Sequence, residues 1–279
     1  MASSSTRTTS EAVANHLTDT RAEGEGAPAA PLRRGRFFFV AAALAMLLVA
    51  FLGFAPTFYL RGRVPGANLF ALPAPVVVHG VVMTAWYLLF VAQAGLVAAG
   101  RTDLHRRLGM AGVALAAAVV LTGAQVLINV VPRLEALGLP VAQQIEMFRI
   151  DRVVINGILT LAAFAGVVSA AVVLRRTPAT HRRLMIWACV LTLGAALNTN
   201  RMFGAMLATL WPAWLPMLLA LPVIGLGSLA LYDWAEARRI HPATLVGAAV
   251  CFGVMAAEKL ISGSDAGRAF VLSLARTGG

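Results

Sequence analysis

Residues 33–59 read RRGRFFFVAAALAMLLVAFLGFAPTFY, and the fold turns on this stretch. From Phe37 to Tyr59 it carries no charge. A helix needs about 20 mainly apolar residues to cross the hydrocarbon core of a bilayer, and this run is long enough. Arg33, Arg34 and Arg36 stand before it. Thr57-Phe58-Tyr59 closes it with aromatic rings of the kind that favour a membrane–water interface. Arginines before an apolar run also open secretory signals, but no small-residue cleavage site ends this one. It therefore reads as an uncleaved first helix.

Six more runs of spanning length follow: Val76 to Ala99, Leu108 to Val131, Val153 to Leu174, Leu184 to Leu207, Trp214 to Tyr232 and Thr244 to Ile261. A last apolar stretch, Phe270 to Leu274, is too short to span. The expected fold is all-α, a polytopic transmembrane bundle of seven helices over residues 37–262. Residues 1–36 form a tail, rich in Ser, Thr, Ala, Gly and Glu and read as disordered, with a basic end. Residues 263–279 form a short C-terminal segment.

The whole composition agrees. Of 279 residues, 59% are hydrophobic and 13% charged, and the mean hydropathy is +0.79. A soluble domain carries about a quarter charged residues. The net charge of +11 would suggest nucleic acid in a soluble chain. Here the arginines cluster at the ends of apolar runs, so the partner they call for is the lipid bilayer and not nucleic acid.

Orientation follows from the basic residues near helix ends. With the N-terminus inside, twelve arginines fall on the cytoplasmic side and nine Arg or Lys residues on the other. Three acids offset the first group and five the second, so the bias strengthens to +9 against +4. This predicts an N-inside, C-outside protein of a bacterial inner membrane.

Every turn between helices on the expected cytoplasmic side carries arginines and a histidine. His105-Arg106-Arg107-Leu108-Gly109 opens the third run, and His181-Arg182-Arg183-Leu184-Met185 opens the fifth. Arg238-Arg239-Ile240-His241-Pro242 opens the seventh. The echo suggests a helical hairpin used more than once. Two readings are open. Arg106, Arg107, Arg182, Arg183, Arg238 and Arg239 can face the lipid and snorkel to phosphates, with the histidines as plain helix-end residues. Alternatively, His105 and His181 converge as ligands, since neutral imidazole binds metal and haem iron.

A second polar set lies toward the other side: His79, Gln125, Asn129, Asn156, Asn198, Arg201 and Glu258. Polar groups within a membrane are costly and mark functional sites by default. If these faces turn inward together they form an outer-side ligand pocket. Arg201 would clamp an anion with its planar fork, and His79 would exchange a proton or hold a metal. The plainer alternative is hydrogen bonding between helices. Gln93, nearer the basic turns, reads as a helix-packing residue. Cys189 and Cys251 fall inside apolar runs and read as buried thiols.

Other chemistries find no motif. There is no phosphate-binding glycine loop, no Cys-x-x-Cys and no His-Glu-x-x-His. Lys259 is the only lysine and lies in the seventh run, as in retinal proteins, but the third run holds no acid as counter-ion until Glu135, past its end.

Val78-His79-Gly80, Trp86, Gln93, Gly100-Arg101 and His105-Arg106-Arg107-Leu108-Gly109, with the later His181-Arg182-Arg183-Leu184-Met185 and Tyr232-Asp233 followed by His241-Pro242-Ala243-Thr244, resemble a group of bacterial multi-pass proteins described as predicted membrane proteins. The resemblance covers residues from about 37 to 262. Relatives carry His-x-His-Gly at the second helix, where this chain has Val77 in the first position. The His-Arg-x-Leu-Met element is also similar to membrane factors of cytochrome oxidase assembly. These resemblances imply the membrane class and direct attention to the histidines. The expected function is redox-linked: binding haem, quinone or metal, or assembling a respiratory complex. The alternatives are a transporter or small-molecule-binding protein using the outer pocket, and an accessory subunit of a membrane complex.

Overall fold

The computed structural model describes residues 33–63, 71–199 and 219–275. Among the described residues there are nine α-helices and no strand. Helix α1 covers Arg33–Phe54 and runs on into a wider π-turn at Ala55–Tyr59. Then follow α2 (Ala74–Ala98), α3 (Thr102–Ala136), α4 (Val141–Phe148), α5 (Ile150–Val173), α6 (Pro178–Thr199), α7 (Ala220–Ala237), α8 (Pro242–Ser262) and α9 (Asp265–Ala275). A single 3-10 turn, Leu174–Arg176, joins α5 to α6.

Five segments are long and apolar enough to cross a membrane: Phe37–Tyr59, Ala74–Ala98, Thr102–Ala136, Ile150–Arg176 and Pro242–Ser262. The chain is an all-helical integral membrane protein. Helices α6 and α7 are not among these five. The first two turns of α6 hold His181, Arg182 and Arg183, and its description ends at Thr199. Helix α7 has 18 residues and carries Asp233 and Glu236 near its end. The remainder of the expected runs Leu184 to Leu207 and Trp214 to Tyr232 lies outside the described residues.

Several boundaries differ from the sequence expectation: α3 runs from Thr102 to Ala136 rather than from Leu108 to Val131, and α6 begins at Pro178 rather than Leu184. Helix α1 begins at Arg33, so Arg33, Arg34 and Arg36 are its first turn rather than the end of the tail. Arginine is a good helix former, and a helix can begin before its apolar face does. The C-terminal segment contains a helix, α9, whose Val271 is fully buried. Short α4, with Gln144 and Ile145 buried, has no counterpart among the expected runs. Gln144 donates to the carbonyls of Leu139 (2.8 Å) and Val131 (3.3 Å), tying α4 back onto α3.

The helices pack as antiparallel hairpins. Helices α2 and α3 meet along their length, as do α5 and α6. The α2–α3 turn is tight because Gly100 takes φ +76°, a conformation that costs a residue with a Cβ. Trp187 of α6 is the centre of the main core, fully buried beneath Gly225 of α7 and Gly247 of α8. Trp86 of α2 meets Phe164 of α5 edge-on, with centroids 5.1 Å apart. The Tyr87 hydroxyl donates to the Cys189 carbonyl at 3.1 Å and joins α2 to α6. Both cysteines are buried and unpaired with each other.

Leu121 and Leu231, 70% and 73% exposed, show how apolar the outside of the bundle is. In water such a surface would drive aggregation. Against lipid tails it is the expected exterior.

Candidate functional site

The hairpin plan brings the first turns of α3, α6 and α8 to one end, the basic end. His105 is the fourth residue of α3, and His181 is the fourth residue of α6. Their rings come together with centroids 6.3 Å apart and planes at 84°. The equal position of the two histidines in their helices follows from the sequence echo. Their meeting follows from the packing of the α2–α3 hairpin beside the α5–α6 hairpin.

The surroundings assign the nitrogens of His181. Its Nδ1 lies 2.8 Å from the Ala171 carbonyl oxygen at the end of α5. A carbonyl only accepts, so Nδ1 carries a proton, and Nε2 is the nitrogen left to meet a ligand. Metal-ligating histidines commonly show this arrangement, with the far nitrogen tied to a backbone carbonyl. The backbone carbonyl of His105 accepts from Nε2 of Gln93 at 3.2 Å. His105 Nδ1 and Gln93 Oε1 are both buried without a hydrogen-bond partner.

His241, the third histidine of the echo, plays a different part. It caps α8, its Nδ1 accepting from the Ala243 amide at 3.1 Å. Burial, with the Arg183 guanidinium facing it, holds its pKa below the ordinary histidine value. A neutral ring is what an accepting Nδ1 requires.

Arg183 departs from the lipid-facing reading. It is 4% exposed and paired with Asp233, which is 1% exposed. Arg183 donates to Asp233 Oδ1 through Nε at 2.8 Å and through Nη2, and to the Ala179 carbonyl at 2.6 Å. Asp233 Oδ2 accepts from the Thr244 hydroxyl (2.6 Å) and from the His241 amide (2.9 Å). One carboxylate thus ties α6, α7 and α8 together. Arg182 also turns inward, its guanidinium 4.8 Å from the Phe39 ring centroid and 5.3 Å from that of Tyr232. Arg106, Arg107, Arg238 and Arg239 are exposed, in keeping with a lipid-phosphate role.

The set expected at the opposite end divides into separate local pairings. His79 Nδ1 donates to the Thr122 hydroxyl at 2.9 Å, and that hydroxyl in turn donates to the Ala118 carbonyl at 2.7 Å. Gly123 leaves room for the imidazole, since a Cβ there would sit 3.2 Å from His79 Cε1. Gln125 and Asn129 are exposed, and Asn129 donates to the Gln125 carbonyl of its own helix at 2.7 Å. Asn156 is half-buried on α5. Glu258 forms an ion pair with Arg152, Oε1 to Nε at 3.2 Å, that links α8 to α5, and accepts from the Ser262 hydroxyl at 3.2 Å. Arg201 lies outside the described residues, as does the side chain of Asn198. The cavity found at this end, about 340 Å³, is lined instead by Ile145, Glu146, Arg149, Asp151, Ser262, Gly263 and Arg268.

Two residues that shape the basic end escape the sequence reading as site residues. Asp233 enters it as an acid on the cytoplasmic side and as part of the Tyr232-Asp233 pair of the family resemblance, with no site role. Its signal is a carboxylate directly after the apolar run ending at Tyr232, beside turns rich in arginine. Gln93 reads as packing; a lone amide near a helix end has no stronger signature.

Among the described residues, no group of three or more His, Cys, Asp or Glu side chains is arranged to hold a metal ion. No protein-family model matches the chain, and no curated protein and no solved structure matches it either.

Proposed function

We propose that this chain is a redox-linked protein of a bacterial inner membrane, with seven spans and a cytoplasmic N-terminus, in which His105 and His181 hold a haem iron. The observation that carries this reading is the pairing of the two imidazoles at 6.3 Å, one of them already committed to presenting Nε2. Two imidazoles that held one metal through nitrogens, each about 2 Å from it, would come to a separation of this order.

The donor set favours haem over a bare ion. A protein site for a single metal commonly uses three or four side chains, and the described residues around these histidines offer two. Haem iron brings four nitrogens of its own, so two imidazoles complete it. When bound, such a haem exchanges a single electron at a potential set by its ligands and their surroundings. The chain's own part is to fix both half-buried rings at the first turns of α3 and α6.

The same reading accommodates service as a subunit or assembly factor of a respiratory complex, and membership of the bacterial multi-pass group that the histidine and arginine motifs resemble. The seven-span topology adds α6 and α7 to the five apolar segments, and the excess of arginines at the basic end supports its orientation.

The test is the absorbance spectrum of the full chain purified in detergent. A Soret band is expected, and it is lost in His105→Ala and in His181→Ala but kept in His79→Ala. A protein that shows no Soret band as purified and takes up no added haem overturns the reading. Quinone in a solvent extract of that haem-free protein would instead point to a quinone site.

A further inference from the structure

We infer that Gln93 is a positioning residue for His105, taking the proton of its Nδ1 on Oε1, directly or through one water, and so turning Nε2 into the free nitrogen of that ring. In naming Nε2 as the ligating atom the inference rests on the haem reading above, but the tautomer it assigns does not.

Two polar atoms at the basic end are orphaned. His105 Nδ1 and Gln93 Oε1 are both buried and both lack a partner. Buried polar groups are almost always hydrogen-bonded, so each such exception calls for an explanation. The two belong to groups that already touch, because Gln93 Nε2 donates to the His105 carbonyl at 3.2 Å. That contact also fixes which way the amide faces. The carbonyl can only accept, so the NH2 group points to it and Oε1 is turned aside, still beside the same residue.

An amide oxygen also only accepts. For Gln93 and His105 to satisfy each other, the proton must sit on Nδ1. A single bridging water makes the same link with the same polarity. Either way His105 becomes the Nδ1–H tautomer with its lone pair on Nε2.

The second histidine shows the same logic in backbone form. His181 Nδ1 donates to the carbonyl of Ala171, which lies on α5, the first helix of its hairpin. Gln93 lies on α2, the first helix of the other hairpin. In each hairpin the first helix supplies the acceptor and the second helix supplies the ring. One acceptor is a main-chain carbonyl and the other a side-chain amide, so only the His105 side can be changed by substitution. An acceptor on the far nitrogen orients the ring and raises its basicity as a ligand.

The test uses full-length protein in detergent, labelled with 15N-histidine and examined by NMR, with the His105 signals assigned by their loss in His105→Asn. Wild type is expected to show His105 as Nδ1–H. Gln93→Leu removes the acceptor and is expected to move His105 toward the Nε2–H form, while His181 stays Nδ1–H. Gln93→Glu keeps an acceptor and is expected to retain the Nδ1–H form, which keeps the inference open to failure should Gln93→Leu not fold. Wild-type His105 found as Nε2–H overturns the inference, and so does a His105 tautomer unchanged in folded Gln93→Leu. Because the measurement needs no haem, loss of the haem reading leaves this result standing by itself. Where haem is bound, the midpoint potential is expected to rise in Gln93→Leu and fall in Gln93→Glu, a split that a purely packing role for Gln93 would not produce.

Discussion

The two ends of the bundle both carry polar side chains and use them differently. At the basic end, Arg183, Asp233, Thr244 and the His241 amide close on one another across three helices, and His105 meets His181 beside them. At the opposite end, His79 pairs with Thr122, Asn129 bonds its own helix, and Arg152 pairs with Glu258 at the surface. The difference is one of burial and of how many helices each contact spans. Asp233 is 1% exposed and joins three helices, while Arg152 keeps 43% of its side chain in the open. Polar residues near the membrane's edge can reach water or headgroups and need no shared centre. Those drawn between helices must satisfy one another, because an unpaired buried charge is strongly destabilising.

The largest expected effect breaks the basic end at its carboxylate. Asp233→Ala leaves Arg183 buried without its partner, and removing one member of a buried pair costs about 3–5 kcal/mol. The melting temperature in detergent should fall steeply, and any ligand held by His105 and His181 should be lost with it. A fall no larger than that of a surface substitution would mean that Arg183 finds water in place of Asp233.

The next effect compares two glycines of one helix. A Cβ at Gly247 would collide with the Trp187 indole, whereas at Gly253 nothing lies within 4 Å. Gly247→Ala should cost about 1–3 kcal/mol through overpacking. Gly253→Ala should be neutral or stabilise by up to about 1 kcal/mol, through helix propensity. Thermal melts of the pair measure how much tighter the packing is near the basic end.

A smaller effect is pH-dependent. The pKa of His241 is lowered in the folded protein by burial and then by Arg183. Its contribution to stability is therefore complete above the unfolded value of about 6.5 and is lost as pH falls through that value toward the folded one. His241→Asn keeps a side chain that caps helices well and does not titrate. Melting curves at about pH 7.5 and about pH 5, on either side of the unfolded value, should differ less for this variant than for wild type, by an amount of order 1 kcal/mol or less. An equal difference in both proteins removes His241 from the account.

The smallest effect belongs to the opposite end. Glu258→Gln breaks a partly exposed ion pair with Arg152, and such pairs contribute about 0.2–1 kcal/mol. A loss as large as that of Asp233→Ala would show that the two ends are built alike after all.

Much of the fold was legible because membrane helices are long, apolar and bounded by charge. The run Phe37 to Tyr59 is recovered with the same limits, and every other described helix except α4 and α9 overlaps an expected run. These two are short and amphipathic, stabilised by contacts of Ile145, Gln144 and Val271 with other helices, and local pattern does not report such contacts. Of the expected site, the echo of His-Arg-Arg singled out two rings that meet. It also included His241, which is a cap, and Arg183, which is buried, because one short motif can sit on a helix in several environments.

By itself, then, the sequence determined what the solvent demands: helices of spanning length, arginines at one end, and a histidine in the same register at the start of α3 and of α6. These depend on hydrophobicity and on neighbours three or four residues away. Only the tertiary structure decided which polar groups share a centre. His105 and His181 lie far apart along the chain, with two helices and a turn between them beyond α3 itself, and nothing local distinguishes their pairing from any other. The packing of one hairpin beside another puts the two imidazoles face to edge and leaves Asp233 no partner except Arg183 and the groups around it.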